Sequence, residues 1–292
     1  MDLLKDLYKD KEVVEEVKKY FKVKEINQLI KSQAQLLVPS TNNNISTIGS
    51  CFDIYFKFLF WDYLISTGNN AFEVGDWDVS EYLFRSIDDR LLYASKQAKI
   101  CTKETFKNLE KAINSDEISK YENLANLSQT ISYLKAWRHK GYIEIPKPQP
   151  EITAELIQLG TLINPDNFSL SNQRKIFLNP SLSDYGSSFI PDIVIGNTVV
   201  DVKVKNLLEE KDIIQILCYY SIYQGFVSGS ETQSENINID GIGFYLARHG
   251  FYWQPNFAEY LNKSQLKELV KMLNYNIKYY RGGKYPLAAP EA

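Results

Sequence analysis

The sequence predicts an α/β fold in which a mixed sheet carries helices on its faces. Three observations lead there. Helical periodicity fills the first third of the chain, a β-branched apolar hairpin stands at Ile190 to Val204, and the order thereafter is hairpin, helix, hairpin, helix. With 292 residues, 44% apolar and 24% charged, the composition is that of a globular protein able to bury a sizeable core, as one large or two small domains.

Residues 1 to 37 repeat Leu3, Leu4, Leu7, then Val13, Val14, Val17, Tyr20 and Phe21 among Lys and Glu, which predicts one or two amphipathic helices. Ser40 to Asn44 is a polar loop. A strongly aromatic helix follows from about Ser46, a candidate N-cap, to Ile65, with Phe52, Phe56, Phe60 and Tyr63 on one stripe. Two or three helices are expected over residues 80 to 140, the last stopping at Gly141. Pro146, Pro148 and Pro150 enforce an extended stretch before helicity resumes over Glu151 to Ile163. After a loop rich in Gly, Ser and Asn come the hairpin, a helix of about Leu207 to Gln224, and a polar loop at Ser228 to Asn236. Strands at Ile239 to Ala247 and Phe251 to Gln254 meet at Arg248, His249 and Gly250. A last helix, with Ser264 as candidate N-cap, runs to Gly282 and Gly283.

The hairpin carries the chemistry. Gly196-Asn197 suits a two-residue loop, so Ile195 faces Thr198 and Asp192 falls opposite Asp201, with Cβ atoms roughly 5 Å apart. Alternation then puts Asp201 and Lys203 on one face while Val200, Val202 and Val204 take the other. Facing carboxylates in an apolar hairpin are costly unless a divalent cation or a shared proton offsets the repulsion. A metal site is the economical explanation. An acidic-x-Lys triplet alone is uninformative, since Glu16-Val-Lys18 and Glu209-Glu210-Lys211 also fit; placement opposite a second aspartate distinguishes Asp201. The next helix is apolar almost all round, yet sets Gln215 and Tyr219 one turn apart. Their polar groups need partners, which predicts a polar pocket beside them.

Pro191-Asp192, a short strand, Asp201-x-Lys203 and then Gln215-x-x-x-Tyr219 resembles the PD-(D/E)xK nuclease superfamily, and the last element is similar to its RecB-like branch. In that branch an earlier helix carries Gly-x-x-x-His; here Gly49 and Asp53 keep the spacing with aspartate in place of histidine. The looser matches, at Leu178 to Ser181 and Gly243 to Gly250, look like bacterial and phage members. The resemblance implies a restriction-endonuclease-like core over residues 44 to 292, a helical insertion at 67 to 150 and a helical extension at 1 to 43. It implies that Asp192, Asp201 and the Val202 carbonyl coordinate Mg²⁺ or Mn²⁺, hard ions that prefer oxygen, with Asp53 as a further ligand. Lys203 would orient the attacking water or stabilise the transition state, with Gln215 and Tyr219 beside it. Glu155, on the apolar face of its helix, is a rival for the upstream acid, though a charge at a helix start also explains it.

Other chemistries find little support. His139 and His249 are the only histidines and neither accompanies a nucleophile motif. There is no phosphate-binding Gly-x-x-x-x-Gly-Lys, and Gly241-Ile-Gly243 lacks a third glycine. Cys51, Cys101 and Cys218 are scattered, which points to buried thiols and not to a disulfide framework. No apolar run reaches membrane-spanning length, the nearest being broken by Lys57 and Asp62, and the N-terminus lacks a secretory h-region. A cytoplasmic protein without a membrane partner is expected. Net charge is −3, so nucleic acid, DNA ahead of RNA, would have to be met by a local basic surface. The candidate is Lys263 to Tyr285, six Lys/Arg against one Glu with Tyr275, Tyr279, Tyr280 and Tyr285 interleaved. The competing expectation is a nuclease fold without activity that binds nucleic acid or a protein.

Overall fold

The computed structural model describes residues 3–40, 45–66, 73–74, 117–140, 147–168, 175–178, 191–226 and 239–282. The two β-branched runs around Gly196 pair as expected: β3 (Ile193–Ile195) and β4 (Thr198–Lys203) are antiparallel, with Ile195 opposite Thr198 and Ile193 opposite Val200. Gly196 takes φ 56°, a left-handed value that a side chain would strain. Around this hairpin lies a mixed sheet in the spatial order β1 (Glu73–Val74), β2 (Lys175–Leu178), β3, β4, β5 (Gly241–Leu246) and β6 (Phe251–Trp253). β4 and β5 run parallel, which requires a crossover between them. The connection contains α7 (Glu210–Phe226). The short strands β1 and β2 lie where the sequence showed only loop and insertion.

Alternation along the strands assigns two cores to two faces. Ile193, Ile195, Val200 and Tyr245 join α4 (Ile45–Ser66), α5 (Glu117–Lys140) and α6 (Pro150–Gly160) on one side. Val194, Val199, Ile242, Phe244 and Leu246 join α7 and α8 (Lys263–Gly282) on the other. The N-terminal segment forms three helices, α1 (Leu3–Lys9), α2 (Lys11–Tyr20) and α3 (Val23–Gln33). Leu7, Val13, Val17, Ile26 and Ile30 of these helices, and Phe21 between α2 and α3, are buried in this second core. Asn27 also clamps the backbone of Leu208, donating to its carbonyl at 2.9 Å and accepting from its amide at 3.0 Å.

In α4 the expected stripe is real: Phe52, Phe56 and Phe60 follow one another with centroids 6.1 and 5.4 Å apart, and Phe56 meets Tyr245 of β5 at 5.4 Å. Cys51, Ile54, Tyr55 and Phe58 are buried as well, so nearly the whole circumference is covered. Ser46 lies within the first turn of α4 and not at its cap. Ser264 likewise is inside α8. The cap is Asn262, whose side-chain carbonyl accepts from the Ser264 and Gln265 amides at 3.0 Å while Gln265 accepts from the Asn262 amide at 2.8 Å. This is a capping box that the sequence expectation placed two residues late. Pro150 opens α6 as its first residue, where a missing N–H costs nothing. Of the expected insertion at 67–150, only 73–74, 117–140 and 147–150 are among the described residues.

Candidate active site

Extending the hairpin register by one pair sets Asp192, just before β3, opposite Asp201 of β4. Asp192 accepts the Val202 amide hydrogen at 2.7 Å. A strand residue's amide and carbonyl point toward the same neighbour, so the Val202 carbonyl faces this side too. Asp201 is 2% exposed. Its Oδ2 lies 2.6 Å from Lys203 Nζ yet forms no aligned hydrogen bond, leaving a buried acceptor with unused capacity. Lys203 Nζ donates to Gln215 Oε1 at 3.0 Å, and Gln215 Nε2 donates to the Tyr219 hydroxyl at 2.7 Å. The one-turn spacing on α7 thus makes a chain of contacts from Tyr219 through Gln215 to Lys203, and the predicted polar pocket is the hairpin end itself.

Two charged residues that the sequence did not flag complete the cluster. Lys57, 3% exposed in its side chain, pairs with Asp53 one turn earlier on α4 and lies 3.8 Å from Asp192 Oδ1. Asp212 lies 3.6 Å from Lys203 Nζ and 2.6 Å from Lys205 Nζ, and also accepts the Glu209 amide at 2.7 Å. The signal for Lys57 was present: a lysine inside an apolar helix, four residues after an aspartate. Asp212 was disguised as an ordinary acid in a helix's first turn.

Burial and repulsion set the protonation states. Asp192 is held well above the usual carboxylate range, first by burial and then by Asp53 and Asp201, with Lys57 and Lys203 opposing. Burial likewise raises Asp201, against the pull of the Lys203 ammonium. For Lys203, burial favours loss of the proton, but Asp201, Asp212 and Asp192 outweigh it and hold the ammonium above its ordinary range. Tyr219 is pushed well up by burial and by the two aspartates, so its hydroxyl stays protonated.

Glu155 lies elsewhere. It pairs with Arg248, which is fully buried and also donates to the Val204 carbonyl at 2.5 Å and the Val38 carbonyl at 3.1 Å. Of the two upstream acids, Asp53 is the one whose charge bears on Asp192. Among the described residues no atom stands within 4 Å of a Cβ built at Gly49, so none of them demands the glycine of the Gly-x-x-x-Asp spacing. His249 Nε2 lies 2.9 Å from the Asn206 carbonyl; the side chain of His139 is outside the described residues.

Among the described residues no group of three His, Cys, Asp or Glu side chains is gathered at metal-ligand spacing. Asp192 and Asp201 nonetheless form a two-carboxylate donor set with a spare buried oxygen. That fits Mg²⁺, which commonly takes one or two protein carboxylates and fills its octahedron with water and substrate phosphate. Comparison of the chain with family models, curated proteins and solved structures found no match in any of the three. No helix among the described residues is long and apolar enough to cross a membrane.

Proposed function

We propose that the chain is a divalent-metal-dependent nuclease that hydrolyses phosphodiester bonds, in DNA ahead of RNA, after the manner of the PD-(D/E)xK superfamily it resembles. The observation that carries this reading is the pair of facing carboxylates, Asp192 and Asp201, closed on one side by Lys203 and its Gln215 support. Mg²⁺ or Mn²⁺ held by Asp192, Asp201 and the Val202 carbonyl would supply Lewis acidity and positive charge opposite the scissile phosphate. The chain's own groups do the rest. Lys203, placed by Gln215 beside Asp201, would donate hydrogen bonds to the attacking water or a phosphate oxygen. Gln215 aims that ammonium, with its amide fixed by the Tyr219 hydroxyl.

A second reading, an inactive nuclease-fold module, is favoured by one observation. The Lys57 ammonium sits between Asp53 and Asp192, so a protein cation already offsets part of the charge a metal would meet. The two readings separate when labelled single- and double-stranded DNA is incubated with the protein in Mg²⁺, Mn²⁺ or EDTA. Cleavage by wild type in metal only, and at least about a hundredfold slower cleavage by Asp192→Ala and by Lys203→Met, supports the enzyme. Identical behaviour of wild type and Asp192→Ala in metal and in EDTA leaves the binding module.

A further inference from the structure

The last helix buries one ridge and shows solvent another. Leu269, Leu273 and Ile277, each four residues apart, are at most 2% exposed and pack into the second core, and Asn274 donates to the Ser221 carbonyl of α7 at 2.9 Å. Two residues further round the helix, about 200° away, Lys263, Lys267, Lys271, Tyr275 and Tyr279 recur every four residues, and all five are exposed. Lys278 lies beside this ridge and is exposed too. The two rings are not core: Tyr275 is 42% and Tyr279 50% exposed, and they face each other at 6.5 Å with planes 16° apart. Tyr280 differs, donating its hydroxyl to Asp10 at 2.7 Å; Tyr285 is outside the described residues.

We infer that this outer face of α8 is a docking surface for single-stranded nucleic acid, with phosphates along the lysines and bases on the Tyr275 and Tyr279 rings. Charge complementarity names a polyanion, for four exposed lysines share the face with one acid, Glu268. The rings name its second property. Exposed stacked tyrosines match unpaired bases, whose flat faces a duplex covers, and stacking tolerates any sequence. An acidic peptide would use the lysines and leave the rings without a partner of their own kind. The ridge runs from Lys263 to Tyr279, sixteen residue-to-residue steps and so about 24 Å of helix, enough for several nucleotides. It lies across α8 from the buried Leu269, Leu273 and Ile277 and includes none of the hairpin residues, so the inference does not depend on the proposed catalysis.

The test is fluorescence anisotropy of a labelled mixed-sequence single strand, in EDTA so that no cleavage intervenes, with wild type, Tyr275→Ser/Tyr279→Ser and Lys267→Gln/Lys271→Gln. These exposed sites leave the core intact, and an unchanged melting temperature verifies folding. We expect the tyrosine pair to weaken binding at least about tenfold. The lysine pair should lower the slope of log affinity against log salt by about 1.4 units, roughly 0.7 for each phosphate that is no longer neutralised. A duplex of the same sequence should bind more weakly than the single strand. Equal binding of the tyrosine variant, preference for the duplex, or no binding at low salt overturns the inference. So does sedimentation showing that the tyrosine pair instead holds two copies of the chain together. Wild-type binding alongside inactivity in Mg²⁺ would refute the nuclease reading and leave this surface standing.

Discussion

At the residue scale the balance of charge at the hairpin end is the property to test. Asp192 binds its proton more tightly in the folded protein than in the unfolded chain, because the fold removes water and brings Asp53 and Asp201 near. As pH rises from the ordinary carboxylate range through this raised value, the unfolded chain gives up the proton first. Stability therefore falls across that window, and the full penalty applies above it. Asparagine keeps the size and can still accept the Val202 amide but carries no charge. Asp192→Asn should melt above wild type at pH 8 in EDTA, with the gap closing toward pH 4. A variant that melts below wild type at both pH values would show that the aspartate is well compensated and that no charge stress exists there.

At the scale of elements, the ion pair of Glu155 and Arg248 ties α6 to the turn after β5, and Arg248 reaches on to Val38 and Val204. The Arg248 carbonyl in turn accepts the Leu37 and Val38 amides at 2.9 and 3.1 Å, so this residue fastens the segment after α3 as well. Removing one partner strands a buried charge, which costs about 3–5 kcal/mol. Glu155→Ala should lose that much in urea unfolding, whereas a loss below about 1 kcal/mol would mean that the arginine finds solvent or another acceptor. From sequence, Glu155 in an apolar stripe was a rival for the upstream acid, with a helix-start charge the commoner explanation; its ion pair spans 93 residues and no local pattern contains it. The capping of α8 was missed for a smaller reason. Asn262 and Ser264 are both good caps by type, and the reciprocal bond from Gln265 selects the earlier one.

At the scale of the molecule, the sheet separates two cores, and α1 to α3 belong to the one that also holds α7 with Gln215 and Tyr219. The six buried side chains of that N-terminal segment contribute about 1.5–3 kcal/mol each, against a net stability of about 5–15 kcal/mol for a typical domain. A chain starting at residue 34 should therefore fail to fold cooperatively, read as loss of a sigmoidal thermal transition by circular dichroism. A sharp transition close to wild type would show that the extension is a dispensable addition.

The hairpin, its register and the lysine beside Asp201 were legible in the sequence because a two-residue turn and a period of two determine them locally. So were the aromatic stripe of α4 and the one-turn pairing of Gln215 with Tyr219, both consequences of helical spacing. Lys57 between Asp53 and Asp192, Asp212 behind Lys203, the removal of Glu155 to Arg248, and the choice of which tyrosines on α8 meet solvent were settled only by tertiary packing. Each depends on elements distant in the chain meeting across a sheet, and the energy of a buried charge is set by the neighbours that such meetings supply.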